Sequence, residues 1–362
     1  MANSEPALKE DRVVFECGAS SYTVDDVIDA AHFRGELEPF WQQLLLRAAA
    51  EKKASDNEAE LDGSELDAAA IAFRYRYDLI TAEETEAWLQ ARGLTLADFS
   101  DHFAREQWDK TFGSITKPEA TPFIEASAEQ RDLLVVDLTM TGELDRMATR
   151  LAWRVAAWDT AKEADATAIE EERKHFFKRS GVSSEKITHW LGGLYRDLAW
   201  FDGMIALEAA YSARCANGLT PEARHRELGS LRLPLTRFDV ELVELESHDA
   251  AKEAYLCVRD DGMSMAEVAE EGRYPFHRTE MVLEQIADDL QQKFLSLTPG
   301  SVLEPAARED GFLLTRIIAK KEPSLDDPDV LARVEQRILE RHYTDIASGR
   351  IKWRLISNSF EE

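Results

Sequence analysis

Two Glu-x-x-His pairs have a spacing that could support metal chemistry. Glu172 stands three positions before His175, and Glu222 stands three positions before His225. On a helix this spacing places the carboxylate and the imidazole on one face, as in the di-iron sites of helical bundles. However, the first pair lies in a run of glutamates, and the second follows Pro221 in a polar segment. We therefore interpret both pairs as solvated helix starts and predict no metal site.

The other residues with reactive side chains form no recognised catalytic pattern. Cys17, Cys215 and Cys257 are far apart, which fits neither a disulfide framework nor a zinc site, so we expect three reduced thiols. The sequence contains no phosphate-binding loop, dinucleotide-binding glycine motif, nucleophile elbow or zincin motif. Its eight histidines are scattered. We predict no cofactor and no hydrolase site.

The charge balance restricts the class of partner. The chain of 362 residues has 43 basic and 70 acidic residues, which gives a net charge of −27. Nucleic acids and anionic membrane surfaces both require a basic surface, so neither is an expected partner. The same charge would attract basic peptides. No apolar run approaches the length of a transmembrane helix, and the first residues lack the pattern of a secretory signal, so a cytoplasmic location is expected.

Helical patterns dominate the first 230 residues. Residues 23–113 predict four or five short helices, and Thr81 and Thr95 each stand three positions before an acidic residue, which is the capping-box pattern. The β-branched stretch 132–140 could be a strand or the start of a helix. Most tryptophans fall at helical spacing, so a core position is their expected role, although a few could line a groove for a peptide.

After residue 230 the pattern changes to that of an α+β module. Residues 235–245 alternate polar and apolar side chains, as a half-buried strand does. Three helices are expected next, the third over 280–295. The stretch 296–320 then predicts a turn, a short extended piece at Val302 and Leu303, a second turn and a buried strand. The expected order is therefore one strand, three helices, a short strand and a last strand.

The C-terminal segment predicts a helix and a final strand. Asp327 can cap a helix whose first position is Pro328, where the missing N–H group costs nothing. Residues 351–355, IKWRL, alternate as a strand that could pair near Val13–Phe15. The predicted domains are 1–116 and 123–229 as two helical units, 231–321 as the α+β domain, and 322–362 as a helix and strand that pack back on the N-terminal unit.

The α+β module resembles the parvulin-type peptidyl-prolyl isomerase domain. The similarity lies in the first strand, Phe238–Leu245, in DDGMSMAEVAEEG at 260–272, and in FLSLTPGSVLEPAAREDGFLLTRI at 294–317. The N-terminal helical unit with the C-terminal helix and strand resembles SurA-like and PrsA-like chaperones, and the overall layout is similar to that of parvulin-related peptide maturation system proteins. The resemblance implies a mostly α fold with an α+β parvulin-like domain, and a SurA-like helical N-terminal unit completed by the C-terminal helix and strand.

The departures from the family pattern concern the isomerase site. Active parvulins carry one histidine in the first strand and another in the last strand, and the resemblance places Glu241 and Leu313 at about these positions. His248 and Cys257 are weak candidates for a displaced constellation. We therefore expect little or no isomerase activity. Five apolar residues could supply a pocket for a client peptide, although they could equally form the core of the module. These peptide-binding candidates are Met263, Met265, Phe276, Phe294 and Leu297.

The resemblance implies a chaperone or maturation factor with a degenerate parvulin-like domain, whose partner is a peptide or an unfolded protein. Assistance in the maturation of a ribosomal peptide, and an interaction with a peptide-modifying enzyme, are the finer expectations. Three alternatives stay open: an active peptidyl-prolyl cis-trans isomerase, a non-catalytic scaffold for a modifying enzyme, and a metal enzyme built on the Glu-x-x-His pairs.

Overall fold

The computed structural model describes residues 12–161, 165–308 and 311–355. These residues form two compact units. The first comprises residues 12–215 with 342–355, and the second comprises residues 216–341. The first unit is almost entirely helical, and the second combines helices with an antiparallel sheet. The chain therefore has the predicted fold class, a mostly α protein with an α+β domain. Within the described part of the chain, no helix is both long enough and apolar enough to cross a membrane.

The first unit consists of short and medium helices that begin at well-defined caps. The predicted capping boxes at Thr81 and Thr95 are confirmed, and Thr23 forms a third with Asp26. The ambiguous stretch 132–140 is helical. The elements are β1 (Val13–Cys17), β2 (Ser20–Thr23), α1 (Val24–Phe33), α2 (Glu38–Asp56), α3 (Gly63–Arg76), α4 (Ala82–Ala91), α5 (Leu96–Phe112), α6 (Ala128–Thr141), α7 (Glu143–Ala161), α8 (Ala166–Ser180), α9 (Ile187–Gly193) and α10 (Leu198–Gly218).

One apolar core holds most of these helices together. Helix α1 packs against α7, and the ring of Phe33 at the end of α1 stacks on Phe176 of α8 at 4.7 Å. Trp41 of α2 is fully buried, and its Nε1 donates to the carbonyl of Thr121 at 2.6 Å. The sequence divides these helices into two segments at the proline-rich stretch 117–122. The core includes residues from both segments, so they share one compact unit as far as Cys215.

A small sheet joins the two ends of the chain. The strand β7 (Ile351–Trp353) pairs antiparallel with β1, so that Trp353 lies opposite Phe15, and β2 pairs with β1 on the other side. The predicted return of the last strand to the N-terminal unit is therefore confirmed. Phe15 is fully buried, and its ring stacks on that of Tyr22 at 4.7 Å.

A buried carboxylate ties three helices of the first unit together. Asp137 of α6 accepts hydrogen bonds from His102 Nδ1 and Arg105 Nη2, each at 2.8 Å, and from Arg47 Nη1 at 3.0 Å. Burial alone would raise the pKa of Asp137, but the hydrogen bond from His102 and the charges of the two arginines outweigh it and hold the pKa at about 2. The ionised carboxylate therefore stabilises the contact of α2, α5 and α6.

Asp137→Asn should destabilise the protein, because it removes the charge that pairs with buried Arg105 and half-buried Arg47. We expect the free energy of unfolding in urea to fall by roughly 3 kcal/mol. The ionised group stabilises the fold above the ordinary aspartate pKa, and this contribution is lost as the pH falls from about 4 towards 2. Acidification over that range should therefore destabilise the variant less than the wild type.

Asp101→Asn is the matched control, since Asp101 is exposed on α5. It should leave both the free energy of unfolding and its pH dependence close to those of the wild type. Equal unfolding curves for the two variants would show that Asp137 does not hold the three helices together.

The second unit is built on a four-stranded antiparallel sheet in the order β4-β3-β6-β5. The buried strands β3 and β6 occupy its centre, and helices follow β3 and β4. Its elements are α11 (Pro221–Leu231), β3 (Arg237–Leu245), α12 (His248–Arg259), α13 (Met265–Gly272), β4 (Phe276–Val282), α14 (Asp288–Ser296), β5 (Ala306–Arg308), β6 (Gly311–Lys321) and α15 (Pro328–Ser348), the last of which ends in the first unit.

Two sequence predictions for this unit are wrong. The expected helix over 280–295 is replaced by the end of β4, a single 3₁₀ turn and α14. Strand β4 lies at an edge of the sheet with mostly exposed side chains, so it lacks the alternation that reveals a strand. The short strand lies at 306–308, whereas Val302 makes an isolated bridge to Arg316.

The side chains of β3 and β6 alternate between two separate apolar clusters. Val243 and Leu314 pack with α12 and α13, and we call this side of the sheet the α12 face. Val240 and Ile317 pack with Phe294 of α14 on the other side, the α14 face. Because the side-chain period of a strand is two, the position of a residue along β3 or β6 decides which face it joins.

Candidate functional site

The two positions expected to replace the parvulin histidines do not share a site. Glu241 pairs with Arg316 across the sheet and lies on the α12 face, whereas Leu313 pairs with Glu244 and lies on the α14 face. Over residues 237–245 and 311–321, which the structure describes in full, neither strand contains a histidine. Side chains at these two positions therefore project from opposite faces of the sheet.

The contacts of Glu241 are those of a residue that stabilises the sheet. Only 4 % of it is exposed, and its Oε1 accepts hydrogen bonds from Arg278 Nε at 2.9 Å and Arg278 Nη2 at 2.6 Å. Arg278 lies beside it on β4, and Arg316 lies opposite on β6. A carboxylate between two arginines across neighbouring strands stabilises the sheet, and it is occupied by charge-assisted hydrogen bonds that a catalytic base would need free.

His248 and Cys257 do not form a constellation. His248 is the first residue of α12, with an exposed imidazole 3.8 Å from the Asp249 carboxylate. Cys257 is half-buried near the other end of α12, against the α12-face cluster. Nine positions separate the two residues, which is about 14 Å along a helix axis. Neither side chain can reach the other.

The five peptide-binding candidates belong to two clusters rather than to one pocket. Met263, Met265 and Phe276 pack in the α12-face cluster, and Phe294 and Leu297 pack in the α14-face cluster. Met265 and Phe294 are buried. The sheet lies between the two clusters, so the alternative of core residues describes these five better than a common peptide pocket.

A histidine that the sequence reading missed lies in β4. His277 is directly opposite Leu242, which is in turn opposite Thr315, and this row lies on the α14 face. Its imidazole is exposed, and Nε2 is 4.0 Å from Glu244. The residue was overlooked because the segment containing it was not recognised as a strand. An exposed imidazole with one distant carboxylate has no positioned acid–base partner.

The second unit also has an open cavity of about 510 Å³ at one end of its sheet. It offers two carboxylates and one guanidinium, but none of its lining side chains is a nucleophile. The lining residues are Glu244, Leu245, Glu246, Pro275, Arg308, Gly311 and Phe312.

Side chains of the Glu-x-x-His pairs interact with nearby groups of their own helices. Glu172 lies 3.7 Å from His175 Nδ1 and 3.8 Å from Arg179 Nη1, all on α8. His225 Nδ1 donates to the carbonyl of Pro221 at 2.8 Å. In the described parts of the chain, no group of three or more histidine, cysteine, aspartate or glutamate side chains could hold a metal ion.

The first unit contains a cleft with aromatic walls. It has a volume of about 410 Å³ and is formed by β2, the first turn of α1, α7 and α10. We call it the Trp158 cleft. The rings of Tyr22, Trp158 and Trp200 are half-buried and form its apolar surface together with aliphatic side chains. The lining residues are Ser20, Ser21, Tyr22, Asp26, Leu151, Trp158, Trp200, Gly203, Met204, Ala206 and Leu207.

An arginine fixes two walls of the Trp158 cleft. Arg196 Nη2 lies 2.9 Å from Asp26 Oδ1, and its Nε donates to Asp29 Oδ2 at 2.6 Å. The guanidinium carbon also lies 5.5 Å from the centre of the Trp200 ring, within cation–π range. Asp29 is fully buried, and burial raises its pKa to about 7 against the attraction of Arg196. Arg196, which precedes α10 in the chain, therefore links α1 to Trp200 at the start of α10.

The Trp158 cleft offers binding groups rather than catalytic groups. Burial, with smaller contributions from Cys17, Asp26 and Asp159, raises the pKa of Tyr22 to about 12. The phenol therefore stays protonated at neutral pH and can form hydrogen bonds but cannot act as a base. The remaining lining side chains are hydroxyl groups, aliphatic groups, indoles and the Asp26 carboxylate, which accepts a hydrogen bond from the Thr23 N–H group.

Comparison with known proteins finds solved structures of low similarity. No family model matches the sequence, and no curated protein matches it. A peptidylprolyl isomerase, PrsA, from Bacillus cereus matches at 12% identity and a TM-score of 0.37, covering 62% of this chain and 88% of that chain. Foldase protein PrsA from Lactococcus lactis matches at 10% identity and a TM-score of 0.27, covering 93% and 90%.

A SurA-like chaperone of Campylobacter jejuni matches at 6% identity and a TM-score of 0.21, covering 59% of this chain and 87% of that chain. These neighbours are PrsA parvulin-type isomerases and SurA-like chaperones, the class that the sequence resembles.

The register of the sheet predicts the outcome of restoring histidines. Glu241→His combined with Leu313→His should give no prolyl isomerase activity on short X-Pro peptides in a protease-coupled assay, because the two imidazoles would project from opposite faces. Activity in this double variant would contradict the face assignment.

Leu242→His provides a positive control for the same register. The new imidazole would lie directly opposite His277 on the α14 face, at a separation that suits two ligands of one zinc ion. Zinc titration should therefore show a new site in Leu242→His and none in Glu241→His, whose imidazole would lie on the α12 face.

Proposed function

We propose that the protein binds an extended peptide or an unfolded segment of a client in the Trp158 cleft, and that it acts as a chaperone or maturation factor whose parvulin-like domain does not catalyse prolyl isomerisation. The observation that carries the proposal is the cleft itself, an open trough with aromatic walls in the helical unit. Half-buried indole and phenol rings are the side chains that most often anchor a bound polypeptide.

The composition of the cleft favours a polypeptide over a small reactive substrate. Its apolar wall combines two indoles with Leu151, Met204 and Leu207, so it can bury several client side chains. Each apolar side chain that leaves water contributes about 1.5–3 kcal/mol when its burial is complete. Hydroxyl groups of Ser20 and Ser21 lie along one side and can pair with a polar backbone.

The parvulin-like domain supports binding or architecture rather than catalysis. Rotation about a prolyl bond has a barrier of about 20 kcal/mol, and lowering it requires polar groups that stabilise the twisted amide next to an apolar pocket. On the α14 face, the central row contains Leu242 and Thr315 with an exposed histidine at its edge. On the α12 face, Glu241 is held by Arg278.

The class of client follows from charge and from the sequence resemblance. A net charge of −27 favours a basic client, since like charges would repel an acidic one. The resemblance to peptide maturation proteins suggests a ribosomal peptide that is being modified, together with its modifying enzyme, in the cytoplasm. These finer assignments are part of the proposal and rest on the sequence resemblance alone.

Trp158→Ala should weaken client binding without unfolding the cleft, because the side chain is half-buried and lies at the cleft wall. A fluorescein-labelled nine-residue peptide of alternating lysine and valine is the probe, and fluorescence anisotropy is the measurement. We expect at least a tenfold rise in Kd, as for an aromatic anchor. Trp108→Ala, on α5 and outside the cleft, should bind the peptide like the wild type.

The same preparations should be assayed for prolyl isomerase activity. We expect no rate enhancement by the wild type. Isomerase activity of the wild type would contradict the proposed role of the parvulin-like domain, and equal peptide affinities of the wild type and Trp158→Ala would contradict the role of the cleft.

An exposed apolar patch on α3 favours a second candidate function, that of a scaffold for another protein. Ile71 and Tyr75 on α3, and Ile80 in the loop that follows it, are 49%, 83% and 76% exposed and line a cavity of about 210 Å³. Contiguous exposed apolar side chains are typical of protein–protein contact surfaces. If the scaffold function holds, Tyr75→Ser should weaken binding of a purified peptide-modifying enzyme in calorimetry and leave the peptide affinity unchanged. Unchanged enzyme binding would contradict it.

A further inference from the structure

Strand β2 has an open edge at the Trp158 cleft. The three-stranded sheet has the order β2-β1-β7, so that among the described strands β2 pairs only with β1. Ser20, Ser21 and Tyr22, which make up most of β2, also line the cleft. The edge of the sheet and the aromatic trough are therefore parts of one surface. An open strand edge is a template for the backbone of another extended segment.

The hairpin between β1 and β2 determines which backbone groups face the cleft. Gly18 and Ala19 form a two-residue turn, with Gly18 at a φ of +61°, and Cys17 pairs with Ser20. Such a turn closes on a hydrogen-bonded pair, and hydrogen-bonded and non-hydrogen-bonded pairs alternate along an antiparallel ladder. The next pair, Glu16 with Ser21, is therefore non-hydrogen-bonded. The N–H and C=O groups of Ser21 point away from β1.

We infer that the client is recognised by strand addition, in which an extended segment pairs with the outer edge of β2 through Ser21 and places every second side chain in the Trp158 cleft. This inference rests on the proposed function and specifies how the cleft recognises its client. The backbone pairing gives affinity for any extended sequence, and the trough selects apolar residues at alternate positions.

The charge around the cleft determines which client residues are preferred between the apolar ones. Asp26 lines the cleft, and no lysine or arginine is among the lining residues that the structure describes. A client that alternates apolar with basic residues is therefore the best match to this surface and to the net charge of the chain.

The short length of β2 limits the strength of this pairing. The strand has four residues, and the N–H group of Thr23 already donates to Asp26 Oδ2 at 2.8 Å. Ser21 is consequently the residue whose two backbone groups are available to a client. One residue can contribute two backbone hydrogen bonds, which corresponds to about a tenfold effect on Kd.

Ser21→Pro tests strand addition directly. Proline removes the outward N–H group, and the β1–β2 ladder does not use that group, so the hairpin should stay intact. Ser21→Ala removes only the hydroxyl and keeps the backbone donor. With the labelled lysine–valine peptide and the full chain, we expect a Kd for Ser21→Pro about threefold higher than for Ser21→Ala, since the two variants differ in one backbone hydrogen bond to the client.

Methylated probes test the same pairing without changing the protein. Two versions of the peptide carry N-methyl groups, one on all valines and the other on all lysines, and only one of these sets of amides can face β2. One version should bind about tenfold more weakly than the unmodified peptide, and the other should bind as tightly. A glutamate–valine peptide should bind at least tenfold more weakly than the lysine–valine peptide.

Equal binding of both methylated peptides, or equal binding by Ser21→Pro and the wild type, would overturn strand addition and leave the proposed function in place, provided that Trp158→Ala still weakens binding. Absence of binding by every probe would overturn the proposed function as well.

Discussion

The pairing of β1 with strands from both ends of the chain is the constraint on which the functional surface depends. Strand β1 is the centre of its sheet, and Phe15 is buried between Tyr22, at 4.7 Å, and Trp353, at 5.4 Å. Because β7 occupies one side of β1, β2 pairs on the other side and becomes an edge. That edge, with α7 and α10, forms the Trp158 cleft. The C-terminal strand therefore completes the sheet that presents the cleft.

In the α+β domain, successive side chains along a strand lie on opposite faces of the sheet, so residues on different faces cannot form one catalytic site. A shift of one position along β6 moves a side chain from the α12 face to the α14 face, which is why Glu241 and Leu313 do not meet. The central strands use their buried positions for two apolar clusters and one ion pair. Under the proposed function, such a domain serves as a binding or spacing element and not as a catalyst.

Local signals in the sequence predicted the elements better than the site. Capping boxes at Thr81 and Thr95, and the alternation of residues 351–355, depend on neighbouring residues, and both predictions are confirmed. Strand β4 was missed because its edge position leaves it polar. The cleft could not be derived, because Trp158 and Trp200 have the helical spacing of core residues and meet β2 only through the tertiary fold. The open edge at Ser21 similarly requires the strand order, which no local pattern contains.

The most direct test of the account is an NMR titration of the protein, labelled with ¹⁵N, with the unlabelled lysine–valine peptide. We expect the largest shift changes at the Trp158 indole N–H, the Trp200 indole N–H and the backbone amide of Ser21, and little change in residues of β3 and β6. Shift changes confined to β3, β6 and α14, with the indole and Ser21 signals unmoved, would contradict the central claim and place client binding in the parvulin-like domain.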